Sequence, residues 1–146
     1  MRATQQLQYA IYGVFDLAYN GGAHPTRIQE VAQRQGIPTR YLEQIFQKLR
    51  RAGLVESKRG PGGGYSLARS AEEISLADIL LAVQGVLLSR VEAETAPAGV
   101  NPEFVWGLIR EGLEGALRRW SIADLAREAA RRGVDRAERE PAMYHI

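Results

Sequence analysis

The stretch TRYLEQIFQKLRR, residues 39–51, decides the fold of this 146-residue chain. Its apolar side chains recur at offsets of 0, 3, 4 and 7, which predicts a helix with one buried face: Leu42, Ile45, Phe46 and Leu49. Thr39 is expected to cap this helix, and Gly53 to end it. The opposite face is polar and rich in Arg and Gln, so it is available to solvent or to a partner.

The residues before this stretch predict two more helices. An apolar stripe over residues 4–20 predicts the first, which Asn20-Gly21-Gly22 ends. Thr26 is expected to cap a short second helix, with Gln29 completing a capping box, and Gly36 stops it. The tight Ile37-Pro38 connection then leads into residues 39–51. Two short helices joined in this way are typical of a helix-turn-helix.

A β-hairpin is predicted directly after the helix-turn-helix. Two short strand-like pieces, residues 54–59 and 65–68, flank the glycine-rich tip Gly60-Pro61-Gly62-Gly63-Gly64. The tip lacks the glycine spacing and the following helix of a nucleotide site, whereas a DNA-binding wing or a plain surface hairpin both fit it. The fold class is therefore mainly α with a small β-hairpin wing: a winged helix-turn-helix.

The second half of the chain predicts three further helices. Ser75 and Asp78 start one that fades around residues 85–88, and residues 89–101 lack periodicity and read as a loop. Asn101-Pro102 begins a long helix that ends near Trp120. Ser121 and Asp124 cap a last helix that Gly133 stops, and from Val134 the chain is expected to be charged and frayed.

The long helix is apolar on more than one side. Val105, Leu108 and Gly112 lie along one side, which we expect to pack on its own domain. The other side needs a further helix, and a second subunit is the natural supplier because Gly112 and Gly115 permit close approach. The expected dimer interface comprises Trp106, Ile109, Gly112, Leu113, Ala116, Leu117 and Trp120.

These elements divide the chain into four parts. Residues 1–88 form the winged helix-turn-helix DNA-binding domain, and residues 89–101 form the loop. Residues 102–133 hold the dimerisation helix and the terminal helix, and residues 134–146 form a charged tail.

Composition narrows the function classes. The chain is 45% hydrophobic and 25% charged, which is typical of a globular protein, and no apolar run is long enough to span a membrane. Residues 1–70 hold ten basic against four acidic residues, a balance of +6, although the whole chain carries only +2. This asymmetry favours a polyanion partner for the first half. No signal peptide is evident, so the cytoplasm is the expected location.

No motif in the sequence indicates a catalytic site. The chain has no cysteine, and His24 and His145 stand outside any metal-ligand spacing. There is no nucleophile elbow of the Gly-x-Ser-x-Gly type. We therefore expect no enzyme, no catalytic residue, no bound metal and no cofactor.

Several motifs together carry a family resemblance. Tyr41-Leu42-Glu43-Gln44 and Arg59-Gly60-Pro61-Gly62-Gly63-Gly64-Tyr65 are the most specific, and Met1-Arg2-Ala3-Thr4 and residues 49–55 agree with them. The chain resembles the Rrf2 (Rrf-two) family of bacterial winged-helix transcription regulators, of the IscR, NsrR and CymR type. The likeness runs without gaps over about the first 85 residues.

The resemblance implies a homodimer with crossed long helices, a recognition helix in the major groove and a wing arginine in the minor groove. The base-reading positions fall on Thr39, Arg40, Glu43, Gln44 and Arg59. Arg40 stands where many members have serine, which changes the expected sequence preference. The expected phosphate contacts are Arg2, Tyr41, Lys48, Arg50, Arg51, Lys58, Gly60, Gly62 and Gly63.

The loop before the long helix departs from the family. Cluster-binding members carry three cysteines and a fourth ligand there. In this chain, Val100 and Glu103 occupy the positions that correspond to the last cysteine and the fourth ligand of those members. The chain therefore resembles a cysteine-free branch without an iron-sulfur cluster. Its signal is a small molecule, a partner protein or nothing, and loop 89–101 is either a tether or a sensor.

The leading interpretation is a homodimeric regulator, a repressor, that binds double-stranded DNA at an imperfect palindrome. The alternative is a protein-interaction module or effector-sensing adaptor that uses the winged-helix surface for a protein partner. The basic first half favours DNA, and salt-dependent binding to duplex DNA distinguishes the two.

Overall fold

The computed structural model describes residues 3–22, 24–84 and 99–137. Within these ranges the chain forms six α-helices, a two-stranded antiparallel hairpin and a short 3₁₀ helix. The elements are α1 (Ala3–Asn20), α2 (Ile28–Gln35), α3 (Thr39–Arg51), β1 (Val55–Lys58), β2 (Gly64–Leu67), the 3₁₀ helix (Ala71–Glu73), α4 (Leu76–Gln84), α5 (Phe104–Arg118) and α6 (Ile122–Arg131).

The apolar face of α3 forms the centre of the hydrophobic core, as its sequence predicts. All four of its predicted apolar side chains are buried, and they pack in one cluster with residues of α1, α2, α4 and α6. The turn between α2 and α3 begins at Gly36, whose φ of 68° is the left-handed conformation that glycine adopts most readily. Ile37 closes the turn by donating its N–H to Ala32 O at 2.9 Å.

The predicted N-caps of α2 and α3 are wrong. Arg27, not Thr26, is the N-cap of α2, and it makes no side-chain cap bond. Thr26 instead lies in an extended bridge to Tyr65 of the hairpin, so its backbone is committed to a strand pairing. Pro38 precedes α3, and its carbonyl accepts from Tyr41 N and Leu42 N at 3.1 and 3.2 Å.

The starts of α4 and α6 are both capping boxes, as predicted. Asp78 N donates to Ser75 Oγ and Ser75 N donates to Asp78 Oδ2, each at 3.0 Å. Ser121 and Asp124 repeat the arrangement at 3.0 and 2.9 Å. The two boxes lie side by side, since Ser75 and Ser121 form an isolated antiparallel bridge.

Helix α5 packs on its own subunit differently from the expectation. The side of α5 that is partly covered carries Gly107, Arg110, Glu114 and Leu117, rather than the predicted set of Val105, Leu108 and Gly112. None of its residues is buried within the described chain. Both apolar sides identified in the sequence therefore merge into one broad exposed face.

The segment after α6 is docked rather than frayed, so that expectation is wrong for residues 134–137. Val134 O accepts from the Tyr19 hydroxyl at 2.7 Å, and Ala137 N donates to Asn20 Oδ1 at 2.8 Å. The Arg136 guanidinium lies 4.5 Å from the centre of the Tyr19 ring. These contacts join the end of the described chain to the end of α1.

The proposed division into domains stays a prediction. Helix α6 packs on α1, and Ile122 is fully buried in the same core as α3. Most of the predicted loop and the end of the fourth helix, residues 85–98, lie outside the described residues, as do residues 138–146 of the predicted tail. Among the described helices, none combines the length and apolarity that a membrane crossing requires.

Candidate nucleic-acid interface

The solvent-facing side of α3 holds the predicted base-reading residues together. Arg40, Glu43 and Gln44 are exposed, and Thr39 is half-buried at the first turn. They lie on the first two turns of the helix, where the four core side chains fix its orientation from the opposite side. The structure therefore presents these four residues as one polar surface.

Lys48 is held in place by α1. Its Nζ donates to Gln6 Oε1 at 3.1 Å, although the two residues are 42 positions apart in the chain. This hydrogen bond joins the third turn of α3 to the first turns of α1. It limits the rotamer freedom of a cation that is predicted to contact phosphate.

Arg50 and Arg40 also make local contacts. Arg50 Nη1 donates to Ser57 Oγ of β1 at 3.1 Å, which links the end of α3 to the hairpin. Arg40 Nη2 donates to the Tyr41 hydroxyl at 3.0 Å, with its guanidinium carbon 4.7 Å from the centre of that ring. A guanidinium stacked on an aromatic ring is oriented at little entropic cost.

The hairpin is anchored to the helix-turn-helix through Tyr65. Thr26 N donates to Tyr65 O at 2.8 Å, and Tyr65 N donates to Thr26 O at 2.7 Å. The Tyr65 ring meets Phe46 of α3 edge-on, with ring centres 4.8 Å apart. Thr26 thus adds a one-residue third strand to β1 and β2, and the hairpin has a defined orientation relative to α3.

Gly64 makes this anchoring possible. A Cβ on Gly64 would lie 2.5 Å from Thr26 O, and its φ of 147° lies in the range that side chains rarely adopt. The close approach of the two backbones therefore requires glycine at this position.

The tip of the hairpin presents Lys58, Arg59, Gly60 and Gly62 to solvent. Gly60 and Gly62 have φ values of 89° and 73°, which form the tight turn. Gly63 departs from the expectation that its amide faces a phosphate. It is buried, and its N–H donates to Gly60 O at 2.9 Å, because the turn closes on itself there.

Sequence reasoning missed three of the residues that shape this surface. Gln6, Ser57 and Thr26 hold Lys48, Arg50 and the hairpin, respectively. Neither of the two side-chain contacts belongs to a local motif. Only the alternation of apolar and polar residues in Tyr65-Ser66-Leu67 indicates that this strand could pair with a further one.

The residues that form the helix-turn-helix and the hairpin carry an excess of basic side chains. Asp16, one of only four acidic residues before position 71, is fully buried and paired with Arg34. Because Asp16 and Arg34 neutralise each other, the rest of the first 70 residues holds nine basic against three acidic side chains, and the balance stays at +6. Arg2, the remaining predicted phosphate contact, lies outside the described residues.

The exposed face of α5 contains most of the predicted dimer interface. Trp106, Ile109, Gly112, Leu113, Ala116 and Trp120 are exposed, and Leu117 is half-buried. Large apolar side chains seldom cluster on a solvated helix face without a partner.

Comparison with known proteins gives consistent results. The family model Rrf2, described as "Iron-dependent Transcriptional regulator", matches residues 3–128. The HTH-type transcriptional regulator IscR of Escherichia coli O1:K1 is 35% identical over 129 residues, which cover 86% of this chain and 80% of that protein.

Solved structures agree with the sequence comparisons. IscR of T. potens superposes with a TM-score of 0.73 at 30% identity, covering 99% of this chain and 96% of that one. CymR of B. subtilis, the global cysteine regulator, superposes with a TM-score of 0.72 at 30% identity, covering 88% and 98%. The winged-helix prediction is confirmed.

The residues of this chain do not fit an iron-sulfur cluster. Such clusters are held by thiolates, and the sequence contains no cysteine. Val100 is exposed, and Glu103 is the N-cap of α5. Within residues 3–22, 24–84 and 99–137, no three His, Asp or Glu side chains are grouped closely enough to hold a metal ion.

Proposed function

The chain belongs to the Rrf2 family of transcriptional regulators, and we propose that it acts by binding double-stranded DNA as a homodimer at a palindromic operator. The comparisons favour a transcriptional regulator over both an enzyme and a protein-interaction module. DNA binding, the dimer and the operator symmetry rest on the surface described above.

The observation that carries the proposal is the fixed pairing of the polar face of α3 with the hairpin. The Thr26–Tyr65 hydrogen bonds and the Phe46–Tyr65 ring contact orient the hairpin relative to α3. An α-helix fits the major groove, which is about 12 Å wide. A wing held beside that helix reaches the adjacent minor groove.

Each base-reading residue has a chemistry that suits a base edge. The Glu43 carboxylate accepts from cytosine N4, the Gln44 amide pairs with adenine, and Arg40 donates to guanine O6 and N7. Thr39, at the helix N-terminus, contacts either a base edge or a thymine methyl group. Arg59 is suited to a narrow minor groove, whose negative potential attracts a guanidinium.

The remaining predicted contacts position the protein on the backbone. Lys48 and Arg50 are held by Gln6 and Ser57, respectively. Part of the conformational entropy that these side chains would lose on contacting phosphates is therefore already lost in the free protein. Tyr41, Arg51, Lys58 and the amides of Gly60 and Gly62 complete this set. Arg2 remains a predicted member of it.

Two linked recognition helices are needed to read a palindrome, because its half-sites lie about 34–36 Å apart. The exposed apolar face of α5 supplies the linkage in the proposed homodimer. A dimer seated on a promoter excludes RNA polymerase, and on this ground we propose a repressor. The effector, whether a small molecule, a protein or none, is left open.

The proposed DNA binding needs no iron-sulfur cluster. All residues assigned to base and phosphate contacts lie before position 64, and the chain lacks the thiolates of a cluster site. We therefore expect the colourless protein to bind DNA.

The test is a mobility shift on genomic fragments enriched by the purified protein, repeated over a range of salt. Each neutralised phosphate contributes a slope of about 0.9 in log affinity against log salt. The proposal expects a discrete set of fragments, bound with a steep slope. Equal binding of all fragments, or binding that is insensitive to salt, contradicts it.

A further inference from the structure

The chain changes direction sharply just after α6. Gly133, two residues beyond that helix, has a φ of 76°. Its N–H donates to Ala130 O at 3.1 Å, and Val134 N donates to Ala129 O at 2.9 Å. This pair of hydrogen bonds is a Schellman motif, which ends a helix and fixes the direction in which the chain leaves it. Residues 134–137, here called the strap, lead from it to the end of α1.

The strap is held on the last turn of α1 by three contacts. The Tyr19 hydroxyl donates to Val134 O at 2.7 Å, and Ala137 N donates to Asn20 Oδ1 at 2.8 Å. The Arg136 guanidinium lies 4.5 Å from the centre of the Tyr19 ring. Tyr19 is only 6% exposed, so its hydroxyl depends on the strap for a hydrogen-bond acceptor.

Asn20 makes a second hydrogen bond with the other end of its amide group. Its Nδ2 donates to Asp16 Oδ2 at 3.1 Å, while its Oδ1 accepts from Ala137 N. The two ends of one planar amide therefore serve the strap and the buried carboxylate at the same time. Each hydrogen bond orients the amide for the other, so Asn20 joins the strap to Asp16.

Asp16 continues this connection to the helix-turn-helix. It accepts from Gln35 Nε2 at 2.9 Å and from two nitrogens of Arg34 at 2.6 and 3.0 Å. Arg34 and Gln35 are the last two residues of α2, and Gly36 begins the turn to α3. A continuous series of hydrogen bonds thus runs from the strap through Asn20 and Asp16 to this turn.

The strap itself buries little surface. Residues 134–136 are exposed, and Ala137 is half-buried. Val134, its large apolar residue, is 46% exposed. Directional contacts rather than apolar packing therefore hold the strap in place. A segment held in this way can detach at a low free-energy cost while the core stays folded.

We propose that Asn20 is a positioning residue that couples the strap to the helix-turn-helix, so that docking of the strap strengthens operator binding and its release weakens it. This inference rests on the DNA binding of the proposed function and adds a means of regulating it. The strap, Asn20 and Asp16 are not among the residues proposed to contact DNA. They act through the placement of α2 and the turn that follows it.

A single substitution removes the hydrogen bond between the strap and Asn20. Ala137→Pro deletes the backbone N–H that donates to Asn20 Oδ1, because proline has none. The side chains of Asn20 and Asp16 stay intact. Ala137→Ser keeps the N–H and is the matched control. Residue 137 lies outside the helices and strands, so neither substitution interrupts an element.

Hydrogen exchange in the free full-length protein tests the coupling without DNA. The Ile37 amide donates to Ala32 O and closes the turn between α2 and α3, and the Ile79 amide, in α4, is the reference. Loss of one hydrogen bond is expected to speed exchange at Ile37 about threefold to tenfold in Ala137→Pro and to leave Ile79 unchanged. Ala137→Ser should match wild type. No change at Ile37, or equal acceleration at both amides, overturns the coupling.

Operator binding tests its consequence. By fluorescence anisotropy at one salt concentration, Ala137→Pro should bind about threefold to tenfold more weakly than wild type, and Ala137→Ser equally well. Because coupling is reciprocal, operator should also slow exchange of the Ala137 amide in the wild-type protein. Unchanged operator affinity beside faster exchange at Ile37 overturns the regulatory role of the strap.

A second variant keeps the proposal testable if Ala137→Pro fails to fold, which circular dichroism would reveal. Tyr19→Phe removes the hydroxyl that donates to Val134 O and retains the ring, whose centre lies 4.9 Å from that of Phe15. It should change Ile37 exchange and operator affinity in the same direction. A wild-type protein that binds no operator overturns the proposed function, whereas Ile37 exchange still decides whether the strap is joined to the helix-turn-helix.

Discussion

Arg34 Nη2 lies 2.6 Å from Asp16 Oδ1, and Arg34 Nε donates to the other oxygen of the same carboxylate at 3.0 Å. Asp16 is fully buried, and it also accepts from Asn20 and Gln35. Arg34 is partly exposed, and its hydrogen bond to Asp16 raises the pKa of its guanidinium. This network fixes α2, the first helix of the helix-turn-helix, against α1.

Removal of the carboxylate is expected to be strongly destabilising. In Asp16→Ala three partner side chains lose their acceptor, and we expect a loss of roughly 2–4 kcal/mol in the free energy of unfolding. Urea denaturation measures it. The matched control, Glu30→Ala, removes only the exposed partner of Arg34, 3.8 Å away, and should cost less than about 1 kcal/mol. Equal losses in the two variants would contradict the role of the network.

The position of the wing is expected to matter as much as its arginine. Arg59→Ala should weaken operator binding by about 1–3 kcal/mol. Gly64→Ala keeps Arg59 but forces Gly64 away from Thr26 O, so a comparable loss is expected. In the double variant the two losses in binding free energy should not add, because both substitutions remove the same contact, that of Arg59 with DNA. Additive losses, measured by fluorescence anisotropy, would show that Gly64 acts elsewhere.

Glu43 is expected to determine base preference rather than affinity. Glu43→Ala removes an acceptor for cytosine N4, which relaxes discrimination at one position of each half-site by roughly 1–3 kcal/mol. Binding to a library of single-base operator variants measures this effect. Gln47→Ala, one turn further along α3 and also exposed, is the control. An unchanged base profile for Glu43→Ala would exclude its assigned role.

Acid is expected to destabilise α6. Hydrogen bonds from Arg131 and Arg132 lower the pKa of Glu128 from 4.5 to about 2, and the Ser121 backbone N–H lowers the pKa of Asp124. Because these pKa values are lower in the folded state, their stabilisation is complete above the ordinary values and is lost as pH falls toward about 2. Thermal unfolding from pH 7 to pH 2 follows this loss.

Glu128→Gln provides the comparison for the acid effect. The variant should have a lower Tm than wild type at pH 7, and the difference should shrink as the pH falls below 4.5. Glu72→Gln, at an exposed position of the 3₁₀ helix, should follow the wild-type profile. A difference in Tm between wild type and Glu128→Gln that stays constant down to pH 2 would contradict the stabilising role of the ionised Glu128 carboxylate.

Local patterns predict those parts of the fold whose partners are close in sequence. The capping boxes of α4 and α6 join residues three apart, and the prediction of each is confirmed. The apolar stripe of α3 follows from helix periodicity alone, and its four core residues were correct as well.

The features that sequence reasoning missed join distant residues. Asp16 and Arg34 are 18 positions apart, Gln6 and Lys48 are 42 apart, and Tyr19 and Val134 are 115 apart. Thr26 matches an N-cap pattern, yet its pairing with the hairpin overrides the local preference. The base-reading residues could be predicted because they lie on one helix face. The apolar groove that residues of α1, α2, α4, α5 and α6 line could not be predicted, because these residues are far apart in the chain.

The chain is a transcription regulator whose DNA binding, as proposed above, needs no iron-sulfur cluster. The most direct measurement combines anaerobic purification, iron analysis and absorption spectroscopy with a mobility shift on the enriched operator fragment. We predict a colourless protein without stoichiometric iron that shifts the fragment at submicromolar concentration. A brown protein whose operator binding appears only with stoichiometric iron would contradict the account.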